Sequence, residues 1–146
     1  MPTTEKYLLG SQSTVLSTSA TLANNALVAS SAYDNTQGQT GDGYAECDLE
    51  LAVTFGTAPT AGTAASIWFL RSQDGTNYED GSSSVTPARS PDLVIPVNAS
   101  TSAQRIIRSA VLPPGKITVL LKNDGTGQTM SSGWTLKLRP ITRQGV

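Results

Sequence analysis

Apolar and polar residues alternate most strictly over residues 44–55 of this chain. One side of an extended chain would carry the apolar members, Ala45, Cys47, Leu49, Leu51, Val53 and Phe55. The other side would carry Glu46, Asp48, Glu50 and Thr54. Because successive side chains of a strand point to opposite faces, this pattern predicts a half-buried strand with an acidic outer face.

Residues 64–72 show a different pattern, since both faces of the extended chain would be apolar. Ile67 and Phe69 alternate there with Trp68 and Leu70. Strands that are apolar on both faces are typical of sheets covered on both sides. The pattern therefore predicts either a central strand or a strand covered at an interface.

Shorter segments of strand character occupy much of the remaining chain. They are residues 7–16, 27–33, 93–97, 104–109, 116–123 and 134–139. Residues 22–28 fit a single helical turn or the entry to a strand. Three segments rich in Gly, Asn, Asp, Ser or Pro are predicted loops, residues 34–43, 82–91 and 123–133, and the second of these is expected to be flexible.

About eight strands separated by turn signals, without an amphipathic helix, predict an all-β fold of the β-sandwich type. The number of strands favours a jelly roll among such folds. Residues 1–26 are predicted to form an extended N-terminal arm or the first strand, and residues 27–146 the sandwich domain. A length of 146 residues suits a single domain with a buried core.

Composition agrees with a chain of short strands. Hydrophobic residues make up 38% and charged residues 14% of the sequence, so self-repulsion is too weak to keep the chain unfolded. No run approaches the ~18 apolar residues that a membrane span requires. The first residues also lack the basic and apolar regions of a secretory signal. We therefore expect synthesis in a cytoplasm and no membrane partner.

The residues needed for common catalytic chemistry are scarce. The chain has no His, and its single Cys, Cys47, allows no intrachain disulfide and is predicted to be a small buried side chain. Without His, the Ser residues lack their usual activating base. Phosphate-binding and dinucleotide-binding glycine motifs are missing as well. These observations predict a protein that is not an enzyme and holds no cofactor.

Charge is distributed unevenly along the chain although the net charge is only −1. Residues 1–100 carry ten acids and three bases, whereas residues 101–146 carry seven bases and one acid. Either acidic and basic strands pair within one fold, or complementary faces meet between subunits. The interface candidates are Glu46, Asp48, Glu50, Arg105, Arg108, Lys122, Lys137 and Arg139. The weak net charge gives no support to nucleic-acid binding.

Three features suggest specific sites, and each has a simpler structural explanation. The acidic residues of the strand at 44–55 lie at a spacing of roughly 7 Å, which suits paired glycosidase carboxylates but occurs in every strand. Residues 74–80 concentrate oxygen ligands, as calcium loops do, but Asp74-Gly75 is also a favoured hairpin turn. Trp68 and Trp134 could stack on a sugar, but their apolar registers favour core packing.

One stretch of the chain resembles a known group of proteins. The run LELAVTFGTAPTAGTAASIWFLRSQDGTNYEDG, with LANNALVASSAYDN and GYAECDLEL before it, is similar to a pattern in small virion structural proteins of tailed bacteriophages. The resemblance covers residues 20–81 and consists of strands and turns. It implies a component of the virion.

A short β protein of this composition suits one kind of virion component, the capsid decoration or cement protein. Such proteins often bind as trimers to the assembled head and brace the major capsid protein. The resemblance thus implies a homotrimer on the capsid surface, with residues 1–26 as an arm that could add to a neighbour's sheet or remain a disordered tail. The alternative is a tail, tail-tip or fibre-associated module that binds a host glycan through the loops at one end of the sandwich.

Overall fold

The computed structural model describes residues 5–36 and 43–145. These residues form nine strands and no helix, so none of them belongs to a helix that could cross a membrane. The strands are β1 (Glu5–Leu9), β2 (Ser13–Ser17), β3 (Leu27–Asn35), β4 (Glu46–Val53), β5 (Ala64–Arg71), β6 (Leu93–Pro96), β7 (Gln104–Val111), β8 (Gly115–Asp124) and β9 (Thr135–Gly145).

The strands form two antiparallel sheets. The first sheet has the order β1-β9-β4-β7. Strand β2 also pairs with β9, at residues 135–138, whereas β1 pairs with β9 at residues 141–145. The second sheet has the order β3-β8-β5-β6. The predicted all-β, single-domain sandwich is confirmed, and the jelly-roll connectivity stays a prediction.

The core lies between the two sheets and is built from alternate residues of their strands. In β4 every second side chain is buried, as the alternation of residues 44–55 predicts. Cys47 belongs to this set and is 0% exposed, which confirms its predicted burial. Burial raises the pKa of its thiol to about 12, with a smaller contribution from the charge of Asp48. The thiol is therefore protonated and inert at neutral pH.

The N-terminal segment departs from the single strand predicted over residues 7–16. It is interrupted after β1 at Gly10, whose backbone N–H donates to the carbonyl of Pro140 at 2.8 Å. A side chain at Gly10 would meet Pro140 Cγ at 2.6 Å, so the close approach requires glycine. The chain continues as β2 along the same strand β9, and residues 5–9 and 13–17 are thus incorporated in the chain's own first sheet.

Of the two predictions for residues 22–28, the entry to a strand is correct and the helical turn is not, because Leu22 makes a β-bridge to Met130 and β3 begins at Leu27. Asn123 fixes this segment by donating from its side chain to the carbonyls of Leu22 and Gln128. The expected loop at residues 34–43 lies partly outside the described residues, since the structure does not describe 37–42.

Strand β5 is central, and its outer face is covered by the chain itself. Trp68 and Leu70 pack with Leu120 of β8 in a second apolar cluster, to which Tyr78 adds. Tyr78 belongs to residues 72–92, which we call the cover loop. The Trp68 indole N–H donates to the carbonyl of Arg89 in the same loop at 3.0 Å. Of the two predicted explanations for the doubly apolar strand, the central position is the correct one, and no second subunit is needed to bury it.

Side chains of the cover loop also complete the edge of β5 beyond the short strand β6. The carboxylate of Asp92 accepts from the backbone N–H of Phe69 at 2.7 Å, and Arg89 donates to the carbonyl of Phe69 at 2.8 Å. Glu79 accepts from the backbone N–H of Arg71 at 3.0 Å. These bonds take the place of a neighbouring strand, so the loop at 82–91, expected to be flexible, is tied to the sheet.

Candidate functional site: the outer face of the first sheet

Most of the predicted interface residues meet on the outer face of the first sheet. The cross-strand register places Asp48 of β4 opposite Arg139 of β9 and Glu50 opposite Lys137. On the other side of β4, Glu50 lies opposite Ile107 of β7. Residues directly opposite each other in a ladder project from the same face. This face therefore carries the acidic residues of β4 between basic residues of β9 and mixed residues of β7.

The acidic residues of β4 are all paired with cations of the same chain. Arg139 Nη2 lies 3.1 Å from Asp48 Oδ2, and Arg143 Nη2 lies 3.3 Å from Glu46 Oε1. Arg105 Nε approaches Glu50 Oε1 at 3.8 Å. The second oxygen of Asp48 accepts from the Ser109 hydroxyl at 2.7 Å. Because exposed pairs contribute only about 0–1 kcal/mol each, the pairs mainly neutralise the repulsion within the row of carboxylates.

Three predicted candidates do not take part in these pairs. Lys122 lies on β8 in the second sheet, where it binds Asp124 at 2.9 Å, so within one chain it does not lie beside the carboxylates of β4. Arg108 is exposed but lies opposite buried Leu49, so it does not share the outer face. Lys137 lies in register with Glu50, but within the described parts of the chain no carboxylate comes within 4.0 Å of its ammonium group.

Sequence reasoning missed the apolar residues of the same face. Tyr7 is 62% exposed, Leu9 52%, Ile107 55% and Val111 75%. The Arg143 guanidinium lies 5.5 Å from the centroid of the Tyr7 ring, within the range of a cation–π contact. The signal was ambiguous, because Ile106 and Ile107 are adjacent and either could have faced the core. The face is therefore amphipathic, with exposed apolar side chains at both margins of a neutralised charged centre.

The carboxylate row is poorly suited to glycoside hydrolysis. The depression lined by Asp48, Glu50 and Arg139 has a volume of about 80 Å³. Ligand pockets usually measure ~300–1,000 Å³. In addition, the Arg139 and Arg105 side chains lie directly beside these carboxylates, at 3.1 Å from Asp48 and 3.8 Å from Glu50.

The oxygen-rich turn at residues 74–80 is organised internally. The Asp74 carboxylate accepts from the backbone N–H groups of Thr76 and Asn77, from the Asn77 amide and from the Ser72 hydroxyl. The bonds from Asn77 are the largest cause of a pKa well below the usual range for this carboxyl. Across residues 5–36 and 43–145, no three His, Cys, Asp or Glu side chains form a group suited to a metal ion. The turn is thus explained as a side-chain-capped hairpin.

Both tryptophans lie in the interior, as their apolar registers predict. Trp68 is 3% exposed and Trp134 is 2% exposed. Neither ring face is available to stack on a sugar at the surface. The indole N–H of Trp134 has no hydrogen-bond partner among the described residues.

Comparison with known proteins assigns this chain to no family. No family model matches the chain, and no curated protein matches it either.

Proposed function

We propose that this chain is a non-enzymatic structural protein of a tailed-phage virion, a capsid decoration protein that binds the assembled head and stabilises it. The observation that carries the proposal is the outer face of the first sheet. It presents Tyr7, Leu9, Ile107 and Val111 on a regular sheet whose acidic residues are already neutralised. When such a face docks on a partner, apolar area is buried, and no row of unpaired carboxylates is removed from water.

The close packing and hydrogen bonding of strand β5 also support a bracing role. The edge of β5 is closed by side chains, and both faces of that strand are packed. A decoration protein transmits mechanical load between capsid subunits, so its domain must resist deformation. The proposed partners are the major capsid protein and further copies of this chain, and the proposed location is the capsid surface.

We also infer a jelly-roll connectivity for the sandwich. β1 and β2 pair in succession with β9 and count together as one edge strand. With β1 and β2 counted as one, the described residues form eight strands, and each later strand moves down by one number. The first sheet, β1/β2-β9-β4-β7, then has the order 1-8-3-6, and the second sheet, β3-β8-β5-β6, has the order 2-7-4-5. Each sheet thus combines strands from both halves of the chain, as paired Greek keys do.

The alternative, a glycan-binding module of the tail or fibre, is less well supported. Such modules place exposed aromatic rings where a sugar can stack. Both tryptophans are buried, and the Tyr78 ring packs against the outer cluster of β5. Tyr7 is exposed, but it lies on the sheet face rather than in a loop at the end of the sandwich.

Binding to heads tests the proposal, with two variants matched in chemistry and exposure. Leu9 on the outer face and Val85 in the cover loop are both 52% exposed. We expect Leu9→Lys to reduce the affinity for undecorated heads by about tenfold or more. A tenfold change corresponds to about 1.4 kcal/mol, which is the order of the free energy gained by burying part of a Leu side chain. Val85→Lys should bind like the unchanged protein.

The contrary result is equally clear. If the unchanged protein does not bind undecorated heads but recognises a specific glycan on an array, the decoration function is wrong and the glycan-binding alternative takes its place. If Leu9→Lys and Val85→Lys bind heads equally well, the outer face is not the surface that contacts the capsid.

A further inference from the structure

The four outer edges of the two sheets differ in how well they could accept another strand. The edge formed by β1 and β2 is broken at Gly10 and has a bulge between Thr14 and Leu16. The edge strand β3 has a register shift between Ala29 and Ala32. At the fourth edge, β6 is only four residues long and ends at Pro96. Bulges, prolines and short length are the usual devices that prevent edge-to-edge association.

Strand β7 lacks these three devices, since it contains no proline, is eight residues long and pairs with β4 at every position from Gln104 to Val111 without a register shift. A charged residue on an edge strand also opposes association, and β7 carries one, Arg108, on the face that otherwise points to the core. Strand β7 is the last strand of its sheet, so its other side lacks a partner strand in the described structure. A straight, regular edge of this length is a template for strand addition.

The backbone groups that face this open side can be identified. The N–H of Leu112 donates to the carbonyl of Ala45 at 3.0 Å, which makes these two residues a hydrogen-bonded pair. In an antiparallel ladder, hydrogen-bonded and non-bonded pairs alternate. The even-numbered residues of β7 therefore bond to β4, and the backbone groups of Arg105, Ile107, Ser109 and Val111 point outward.

We propose that two copies of this chain pair through β7, antiparallel and about a two-fold axis at Ser109. In this register Ile107 lies opposite the partner's Val111, and Val111 lies opposite the partner's Ile107. Two apolar cross-strand pairs thus form from side chains that are 55% and 75% exposed in the single chain.

The charges on β7 disfavour the register centred on Arg108. A two-fold axis at that residue would place Arg108 opposite its own copy, and like charges directly opposite each other destabilise a sheet. With the axis at Ser109, Arg108 lies opposite the small side chain of the partner's Ala110. Pro113 has no N–H to donate, so it ends the ladder beyond Arg105.

The pairing would also enlarge the outer face described above. Ile107 and Val111 lie on that face, and the two first sheets would continue into each other across the axis. This proposal does not depend on the proposed function, because it concerns free protein in solution. A two-fold pair also differs from the homotrimer that the resemblance implies, so the measured mass distinguishes the two.

The mass of the free protein, measured by light scattering across a concentration series, provides the first test. We expect twice the mass of the chain at high concentration. Ile107→Lys should raise the dissociation constant of the pair by about tenfold or more, because the substitution acts at both symmetric positions. The double variant Ile107→Lys with Val111→Glu should recover the pair, since a lysine then lies opposite a glutamate at both positions.

Cross-linking tests the register directly. The Cα atoms of a hydrogen-bonded antiparallel pair lie about 5.5 Å apart, within the range of a disulfide. Ser109→Cys should therefore form a disulfide-linked dimer under mild oxidation, whereas Thr14→Cys on the β2 edge should not. A monomer at every concentration, a trimer that Ile107→Lys leaves intact, or equal cross-linking by both cysteine variants would overturn the proposal.

Discussion

The Asp92 carboxylate accepts a hydrogen bond from the backbone N–H of Phe69 at 2.7 Å, in the place where a neighbouring strand would otherwise contribute a carbonyl. The other oxygen of Asp92 binds Arg89 at 2.8 Å, and Arg89 returns to the Phe69 carbonyl. One acidic residue thus connects the cover loop to the backbone of a buried strand.

Replacing Asp92 should therefore destabilise the whole domain. Asp92→Ala leaves the Phe69 N–H without its acceptor and removes a partner of Arg89, and we expect a loss of about 1–3 kcal/mol in the free energy of unfolding. Urea titration provides the measurement. Asp80→Ala is the control, since Asp80 is exposed and makes no ion pair among the described side chains. Equal midpoints for the two variants would contradict this role of Asp92.

The lowered pKa of Glu79 predicts that the stability of the domain depends on pH. Its hydrogen bond with the Arg71 side chain is the largest cause that lowers the pKa of this carboxyl, from 4.5 to about 2. Because the pKa is lower in the folded state, the stabilisation is complete above pH ~4.5 and is lost as the pH falls toward about 2. Thermal unfolding between these pH values should show a shallower decline for Glu79→Gln than for the unchanged protein. A parallel decline would mean that the ion pair does not stabilise the fold.

The close packing around Gly81 predicts that a larger residue at this position of the cover loop destabilises the domain. The φ of +150° at Gly81 favours glycine, and a Cβ there would lie 3.0 Å from Pro87 Cγ and 3.1 Å from Leu70 Cδ1. We expect Gly81→Ala to cost about 1–3 kcal/mol through overpacking and strain. Gly56→Ala is the matched control, because nothing lies within 4 Å of its Cβ position. If Gly81→Ala is as stable as Gly56→Ala, the loop is not packed as described.

The pair formed by Asp48 and Arg139 predicts a charge-swap effect. Asp48→Arg and Arg139→Asp should each lower stability by about 0.5–1 kcal/mol at low salt, and the double variant should recover most of the loss. High salt should reduce each single effect, since the side chains are partly exposed. If the double variant is no more stable than the singles, the pair does not contribute to the fold.

The sequence predicted well what depends on the local period of side chains. The alternation along β4 correctly assigned which residues face the core, and Cys47 and Leu49 lie there. The doubly apolar pattern of β5 likewise indicated that both of its faces are covered. These patterns follow from the geometry of a strand and do not require knowledge of its neighbours.

What depends on neighbours could not be read in the same way. Asp48 and Arg139 are 91 residues apart, and only the strand order brings them together. The place of Lys122 in the second sheet could not be predicted for the same reason, because a period of two says which face a residue occupies but not which sheet it joins. The role of Asp92 was missed because a side chain that substitutes for a strand leaves no periodic signal.

The uneven quality of the sheet edges limits how far association can go. In the terms of polymer chemistry, a chain with a single regular edge, β7, is a monofunctional monomer. When two such chains react through β7, both reactive ends are consumed, and growth stops at the pair. The interruptions at Gly10 in the first sheet and at Ala29/Ala32 in the second leave those edges poorly suited to accept a further strand, so we expect pairs rather than fibres.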